Sequence, residues 1–223
     1  MNRIFDAGCR RCPRLAAFLD AVRMEEPEYY CRPVPPFGDP QAKLLIVGLA
    51  PGKHGANRSG RPFTGDHAGI LLYATLHKFG MATAPVSVST DDGLALQQAR
   101  ITNAVKCLPP ANKPLPAEIR QCNGYLRAEL EQSRSVRAVL ALGTIAHAAV
   151  LRACGLPPAQ YRFAHGAEHH LSPNRIMLDS YHCSRYNTQT RRLTADMFEA
   201  VVQRGRELAR APQHSNEQRS QAV

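Results

Sequence analysis

Hydrophobic residues recur along this chain with two different periods. Apolar positions at helical spacing over 13–24 (PRLAAFLDAVRM) predict a helix, with Pro13 tolerated in its first turn. The prolines of 33–40 predict an extended connector. Residues 43–49 (KLLIVGL) form a short apolar run closed by Gly and Pro, which suits a strand buried on both faces. A loop dense in turn residues follows over 50–65, then a helical pattern over 66–79. Further strands are predicted over 100–105, 136–143 and 175–181. Helices are predicted over 116–132, 144–153 and 194–209. In the first of these, Ile119, Cys122, Leu126 and Leu130 share a face; in the last, Met197, Phe198, Val201, Val202 and Leu208 do. Strands alternating with helices predict an α/β fold around a mainly parallel, four-stranded sheet. No internal repeat is visible. One domain over 1–210 is expected, with a polar tail over 211–223 expected to be disordered.

Composition narrows the class of protein. At 223 residues, 44% hydrophobic and 21% charged, the chain can bury a substantial core. No apolar run approaches the ~20 residues of a membrane span. The start, MNRIFDAGCRRCPRL, lacks the apolar stretch and small-residue cleavage site of a secretory signal, so a cytoplasmic protein is expected. The charge of +10 favours an anionic partner such as nucleic acid. Seven cysteines without an export signal argue against a disulfide framework and leave metal ligation or buried thiols.

The loop after the first apolar strand leaves the strand's carboxyl end, where open α/β sheets bind ligands. Gly52, Gly55, Gly60 and Gly65 allow its backbone N–H groups to approach a ligand closely. Gly48 and Gly52-Lys53 superficially match a phosphate-binding P-loop. The spacing is one residue short, however, and His54 stands where Ser or Thr would hold magnesium, so no nucleotide cofactor is expected. The cysteines pair as Cys9-x2-Cys12 and Cys107-x14-Cys122. From spacing alone, four such thiolates hold either zinc or an iron–sulfur cluster, and Cys122 is equally readable as a buried apolar residue. His165, His169 and His170 fall in a segment read as extended, 163–171, and are expected at a solvated or DNA-facing edge rather than in a metal site.

Three motifs, in order, carry a family resemblance. Gly48-Leu49-Ala50-Pro51-Gly52 with Gly60-Arg61-Pro62-Phe63-Thr64-Gly65-Asp66 resembles the first active-site motif of the uracil-DNA glycosylase superfamily, most of all its family 5, or type B, branch. Ile101-Thr102-Asn103-Ala104-Val105-Lys106-Cys107, with Pro109-Pro110 and Asn112-Lys113-Pro114, is a second match. The run from His182 to Thr190 resembles the branch's His-Pro-Ser loop, with Cys183 in the place of the usual proline. The resemblance implies a three-layer α/β/α sandwich. It also implies a structural [4Fe-4S] cluster on Cys9, Cys12, Cys107 and Cys122, tying the N-terminal arm to the segment after the second strand. The implied partner is DNA containing uracil or other deaminated bases, met by a monomer in the bacterial nucleoid.

The chemistry implied is removal of a base flipped into a pocket. Phe63 offers a face on which the base stacks, and Gly52 offers a backbone N–H. The Asn103 amide can pair with a donor and an acceptor on the uracil edge. A neutral His182 can donate to the charge growing on uracil O2. Other branches hold the attacking water with Asp or Glu at the positions of Leu49 or Ala50. Asp66 is the nearest carboxylate here and is read both as the water-orienting group and as a helix N-cap. Lys53, Arg58, Lys113, Arg185, Arg191 and Arg192 are candidate phosphate contacts. The loop 184–190, with Arg185, Tyr186 and Asn187, is a candidate DNA-inserting segment. The alternatives are a family 4-like enzyme restricted to uracil, which Leu49 in place of Glu disfavours, and a non-catalytic iron–sulfur DNA-binding module. Retention of Phe63, Asn103 and His182 together disfavours the second.

Overall fold

The computed structural model describes residues 5–211, so the tail expected to be disordered lies, from residue 212 on, outside the described residues. Four strands form the parallel centre of the sheet: β2 (Leu44–Gly48), β3 (Ala99–Asn103), β4 (Ala138–Leu142) and β6 (Arg175–Ser180). They match the four predicted strands. Among the described residues the sheet has six strands; with β1 (Phe37–Gly38) and β5 (Glu168–Ser172) the order is β1-β3-β2-β4-β6-β5. The additions are antiparallel edges: β1, in the stretch read as a connector, and β5. Two residues beside prolines and a polar His-His run carry too little apolar signal to stand out as strands.

Alternation along each central strand builds the layers. Leu45 and Val47 of β2, Val139 and Ala141 of β4 and Met177 of β6 point to one face. There they meet α1 (Pro13–Glu25), α4 (Pro116–Gln132) and α5 (Thr144–Ala153) through Leu15, Leu126 and Val150. Leu44, Ile46, Ile101, Leu140 and Leu178 point to the other face. They meet α3 (His67–Lys78) through Leu72 and Leu76, and α7 (Ala195–Arg210) through Phe198 and Val202. The result is the three-layer α/β/α arrangement. Two shorter helices interrupt segments read as loop: α2 (Ala56–Ser59) and α6 (Arg185–Gln189). With the central strands parallel, the carboxyl ends of β2, β3 and β6 open on one edge of the sheet.

One buried charge group braces β3. Lys106 is 1% exposed; its ammonium donates to Thr102 Oγ1 and lies 3.6 Å from Glu129 Oε2 on α4. Arg100 donates to Glu129 Oε1 at 3.0 Å. Removing one member of a buried ion group strands the opposite charge. Glu129→Ala is therefore expected to lower unfolding free energy in urea by about 3–5 kcal/mol. A loss below about 1 kcal/mol would mean that water reaches the Lys106 ammonium.

Candidate active site

Gly48 ends β2 opposite Asn103 on β3. A Cβ at Gly48 would stand 2.4 Å from Asn103 Oδ1 and 2.6 Å from the Phe63 ring. Only glycine lets the three approach so closely. Phe63 reaches this position with φ at +57°, in the left-handed region that larger residues rarely adopt. Its neighbours hold it there from behind. Tyr73 donates its hydroxyl to Pro62 O at 2.7 Å, and Thr64 and Ser87 share a hydroxyl bond of 2.7 Å. Arg61, 5% exposed, donates to Asp92 Oδ1 and Thr90 O, both at 2.7 Å, and to Ser87 Oγ at 3.0 Å.

Asp66 begins α3, and its Oδ1 accepts from Gly69 N at 3.0 Å. The N-cap reading is thus correct, but it uses one oxygen. Oδ2 lies against Gly55 and Gly52, 2.7 and 3.9 Å from where their Cβ atoms would be. Burial raises the carboxyl above its ordinary value, opposed by the Gly69 N–H and by His67. The cap makes a fixed stand for a carboxylate whose other oxygen faces the glycine loop.

His182 follows β6. Its carbonyl accepts from Asn187 Nδ2 at 2.8 Å, and its ring lies roughly parallel to that of Phe63, with centroids 6.0 Å apart. Burial pushes the imidazole down to about 4, so it is neutral near pH 7 and keeps one N–H to donate. Asn103 is 3% exposed, and its Oδ1 has no hydrogen-bond partner within the protein. Leu49, Ala50, Gly52, Phe63, Asp66, Asn103 and His182 line one pocket of about 430 Å³, with His67, Asn112, Ser184 and Arg185 at its margin. A flat molecule with one N–H and several carbonyl oxygens is the kind of ligand these groups complement.

The family model described as Uracil DNA glycosylase superfamily matches residues 35–205. The chain belongs to that superfamily. The chain is 47% identical over 207 residues to the type-5 uracil-DNA glycosylase of Thermus thermophilus, covering 91% of this chain and 94% of that one. It is 42% identical over 209 residues to the type-5 uracil-DNA glycosylase of Mycobacterium tuberculosis, covering 90% of this chain and 78% of that one. It is 35% identical over 114 residues to the type-4 uracil-DNA glycosylase of Archaeoglobus fulgidus, covering 51% of this chain and 49% of that one.

Within this superfamily fold the predicted site residues separate into groups. Gly52, Phe63, Asp66, Asn103, His182 and Arg185 converge on the pocket. Tyr186, on α6, is 70% exposed. Arg58 is exposed and runs beside Gly65. Lys53 instead pairs with Glu25 at 2.7 Å, and Asn187 turns inward to the His182 carbonyl. His54, read in the sequence only as a mismatch to a P-loop, shares a 2.9 Å bond with the Tyr29 hydroxyl. Cys9, Cys12, Cys107 and Cys122 line one small, mainly apolar cavity between α1 and α4, whereas Cys31 receives a bond from Asn57 Nδ2 at 3.4 Å. Burial, reinforced by the other three cysteines, pushes the Cys107 thiol up to about 12.

Two of the three histidines of 163–171 depart from the solvated edge expected of them. His170 is exposed, but His169 and His165 are half-buried and bond inward, to Asp179 and to the Tyr181 N–H. Asp92, Ser87 and Tyr73 were also missed, since their contacts with 61–64 span long stretches of chain and no local pattern announces them. His67, whose Nε2 shares a 3.1 Å bond with Thr188 Oγ1, ties α3 to α6.

An NMR titration of His182 should give a midpoint near 4, the direction set by burial. Between about 6.5 and that value the unfolded chain binds the extra proton and the folded one does not, so this group lowers stability as pH falls through the window. A midpoint above 6 would mean a solvated ring.

Proposed function

We propose that this chain is a DNA-repair glycosylase that hydrolyses the N-glycosidic bond of uracil in DNA and leaves an abasic site. The observation that carries this reading is the unpartnered Asn103 Oδ1 beside Phe63 on the pocket floor. A buried acceptor without a partner costs about 1–3 kcal/mol, a penalty a bound base edge relieves. Uracil N3–H donates to Oδ1, and uracil O4 accepts from the same amide's N–H. The ring stacks on Phe63.

The nucleotide must leave the duplex to reach this pocket, and a mispaired uracil leaves most easily. Arg185 lines the pocket and its neighbour Tyr186 is exposed, so a guanidinium can meet phosphate and an aromatic ring can fill the gap in the stack. The excess of 28 basic over 18 acidic side chains steers the protein toward the duplex, and to the DNA of the cytoplasm. In the reaction, a water oxygen bonds to C1′ as the bond from C1′ to N1 breaks. The bonding pair leaves with the base, as negative charge shared with O2. His182 donates a hydrogen bond to that oxygen from its neutral ring. Asp66 Oδ2 orients the water, accepts its proton and offsets the positive charge of the sugar.

Leu49 and Ala50 line the pocket with apolar surface where a carboxylate would restrict the base. This favours a range that includes hypoxanthine and xanthine over a family 4-like restriction to uracil, in keeping with the shorter match to the type-4 relative.

We infer that Cys9, Cys12, Cys107 and Cys122, which line one small cavity, would hold a structural [4Fe-4S] cluster. Four thiolates suit soft metals, zinc as well as iron–sulfur clusters. The resemblance to family 5 is what turns the choice to the cluster. When bound, the cluster supplies a cross-link between α1, α4 and the chain leaving β3.

Duplexes carrying uracil, hypoxanthine or xanthine should acquire alkali-labile sites on incubation with the protein. No cleavage of any, with DNA binding intact, would sink the enzymatic reading; cleavage of uracil alone would establish the narrower range. Asp66→Asn keeps a capping side chain and should slow base release about a hundredfold with DNA affinity retained. Turnover equal to wild type would remove Asp66 from the mechanism. The purified protein should be brown, and Cys107→Ala should abolish its visible absorbance; a colourless, zinc-containing preparation would contradict the cluster.

A further inference from the structure

Three histidines that the pocket does not use, His147, His165 and His169, converge on the end of β6, shortly before His182. Asp179 is 0% exposed, and both of its carboxylate oxygens are held. Oδ1 meets His147 Nδ1 of α5 at 2.8 Å, and Oδ2 meets His169 Nε2 of β5 at 2.9 Å. His147 is fixed in turn by Nε2 against the Tyr161 carbonyl at 3.1 Å. The donor atoms of His147, His169 and Asp179 lie within 4.8 Å of one another, a spacing a metal ion would also accept. The hydrogen bonds already use both carboxylate oxygens, so the set is complete as it stands.

The same bracket continues toward the site. Asp179 N donates to Ala167 O at 2.9 Å, and Gly166 N donates to Asp179 O at 2.8 Å. Two residues on, Tyr181 N donates to His165 Nδ1 at 3.2 Å, and the two rings stack with centroids 5.1 Å apart. Arg192 covers the Tyr181 ring at 4.7 Å. By contrast, among the described residues the His182 ring makes no hydrogen bond. Its direction depends on its backbone, which Asn187 holds from the downstream side.

We infer that His147, Asp179, His169 and His165 are positioning residues, which aim the His182 ring into the base pocket by fixing the last residues of β6. The inference rests on the glycosylase reading for its kinetic test. A purely structural network would protect the fold and leave His182 indifferent. A positioning network acts through that one ring, since a misplacement of about 1 Å in a catalytic group is enough to slow chemistry greatly.

The test is a double-mutant cycle in the full chain. His169→Ala should lower kcat for uracil release about tenfold with KM within about twofold, and His169→Gln, which keeps an N–H donor, should recover most of it. In a His182→Ala background, His169→Ala should cost less than about twofold. Equal fold losses in both backgrounds, or no loss in the first, would overturn the inference. Asp179→Asn, nearly the same shape, is the second probe should the alanine variant fail to fold, with the same expectations. An NMR titration of His182 judges the bracket without any activity. In folded His169→Ala its midpoint should rise toward the ordinary imidazole value, and an unmoved midpoint would overturn the proposal. A wild-type protein inactive on every base would fail the glycosylase reading alone, and the titration would still decide the bracket.

Discussion

The site depends on one close approach. Gly48, Asn103 and Phe63 meet where a single added Cβ would fall 2.4 Å from an amide oxygen and 2.6 Å from an aromatic ring. Two parallel strands in register bring Gly48 opposite Asn103, and that pairing is a product of the buried sheet. Phe63 comes from a loop, so it has to be carried in and held. The first turn of α3 seals it: a Cβ at Gly69 would stand 1.8 Å from the Phe63 carbonyl oxygen. Both glycines therefore act by what they leave out, and the strained φ of Phe63 is compatible with a loop bonded at Arg61, Thr64 and Tyr73.

Much of this was readable in the chain because the central strands are continuous apolar runs and the helices carry regular stripes. The β2 and β4 positions are buried throughout, which is what an uninterrupted run of apolar residues demands. The edges were hidden because their residues are stabilised by pairing, not by burial of their side chains. In β5 only Leu171 is buried, and His169 looks like a solvent-facing residue until Asp179 is placed beneath it. The pocket residues Phe63, Asn103 and His182 were legible through motif order, a signal of identity at fixed positions. The Arg61–Asp92 pair was not, since its partners are separated by a long connection and nothing in either neighbourhood requires the other. Asp66 was half legible. Its place before a helix announced a cap, but only the glycines at 52 and 55 show what the second oxygen faces.

Charge is distributed differently from what the net value implies. Lys53 is paired with Glu25, Arg14 with Glu118, Arg61 with Asp92 and Lys78 with Glu199. Of these pairs only Arg61–Asp92 is largely buried on both sides; the others keep one or both partners in contact with solvent. Arg185 lines the pocket and Arg58 is exposed on α2; among the described residues Arg185 is the one Lys or Arg in the pocket lining. Long-range attraction then comes from the whole +10 molecule, and registration on the backbone from a small number of contacts.

β3 links the parts that look separate in the sequence. Within a few residues it presents Arg100 and Thr102 to the buried charge group, Asn103 to the pocket, and then passes through Lys106 to Cys107 at the cysteine cavity. The Lys106 N–H itself donates to Cys122 Sγ at 3.3 Å, so the cavity and the charge group share a residue. Beyond Cys107, the chain turns back through Ala111 and Asn112, both in the left-handed region, to place Asn112 at the pocket margin. Arg14 of α1 holds that return through Lys113 O and Glu118, at 3.2 and 2.8 Å. One short strand and its return loop thus join the cysteine cavity to the pocket amide of Asn103, although the N-terminal arm is distant in sequence from the pocket motifs.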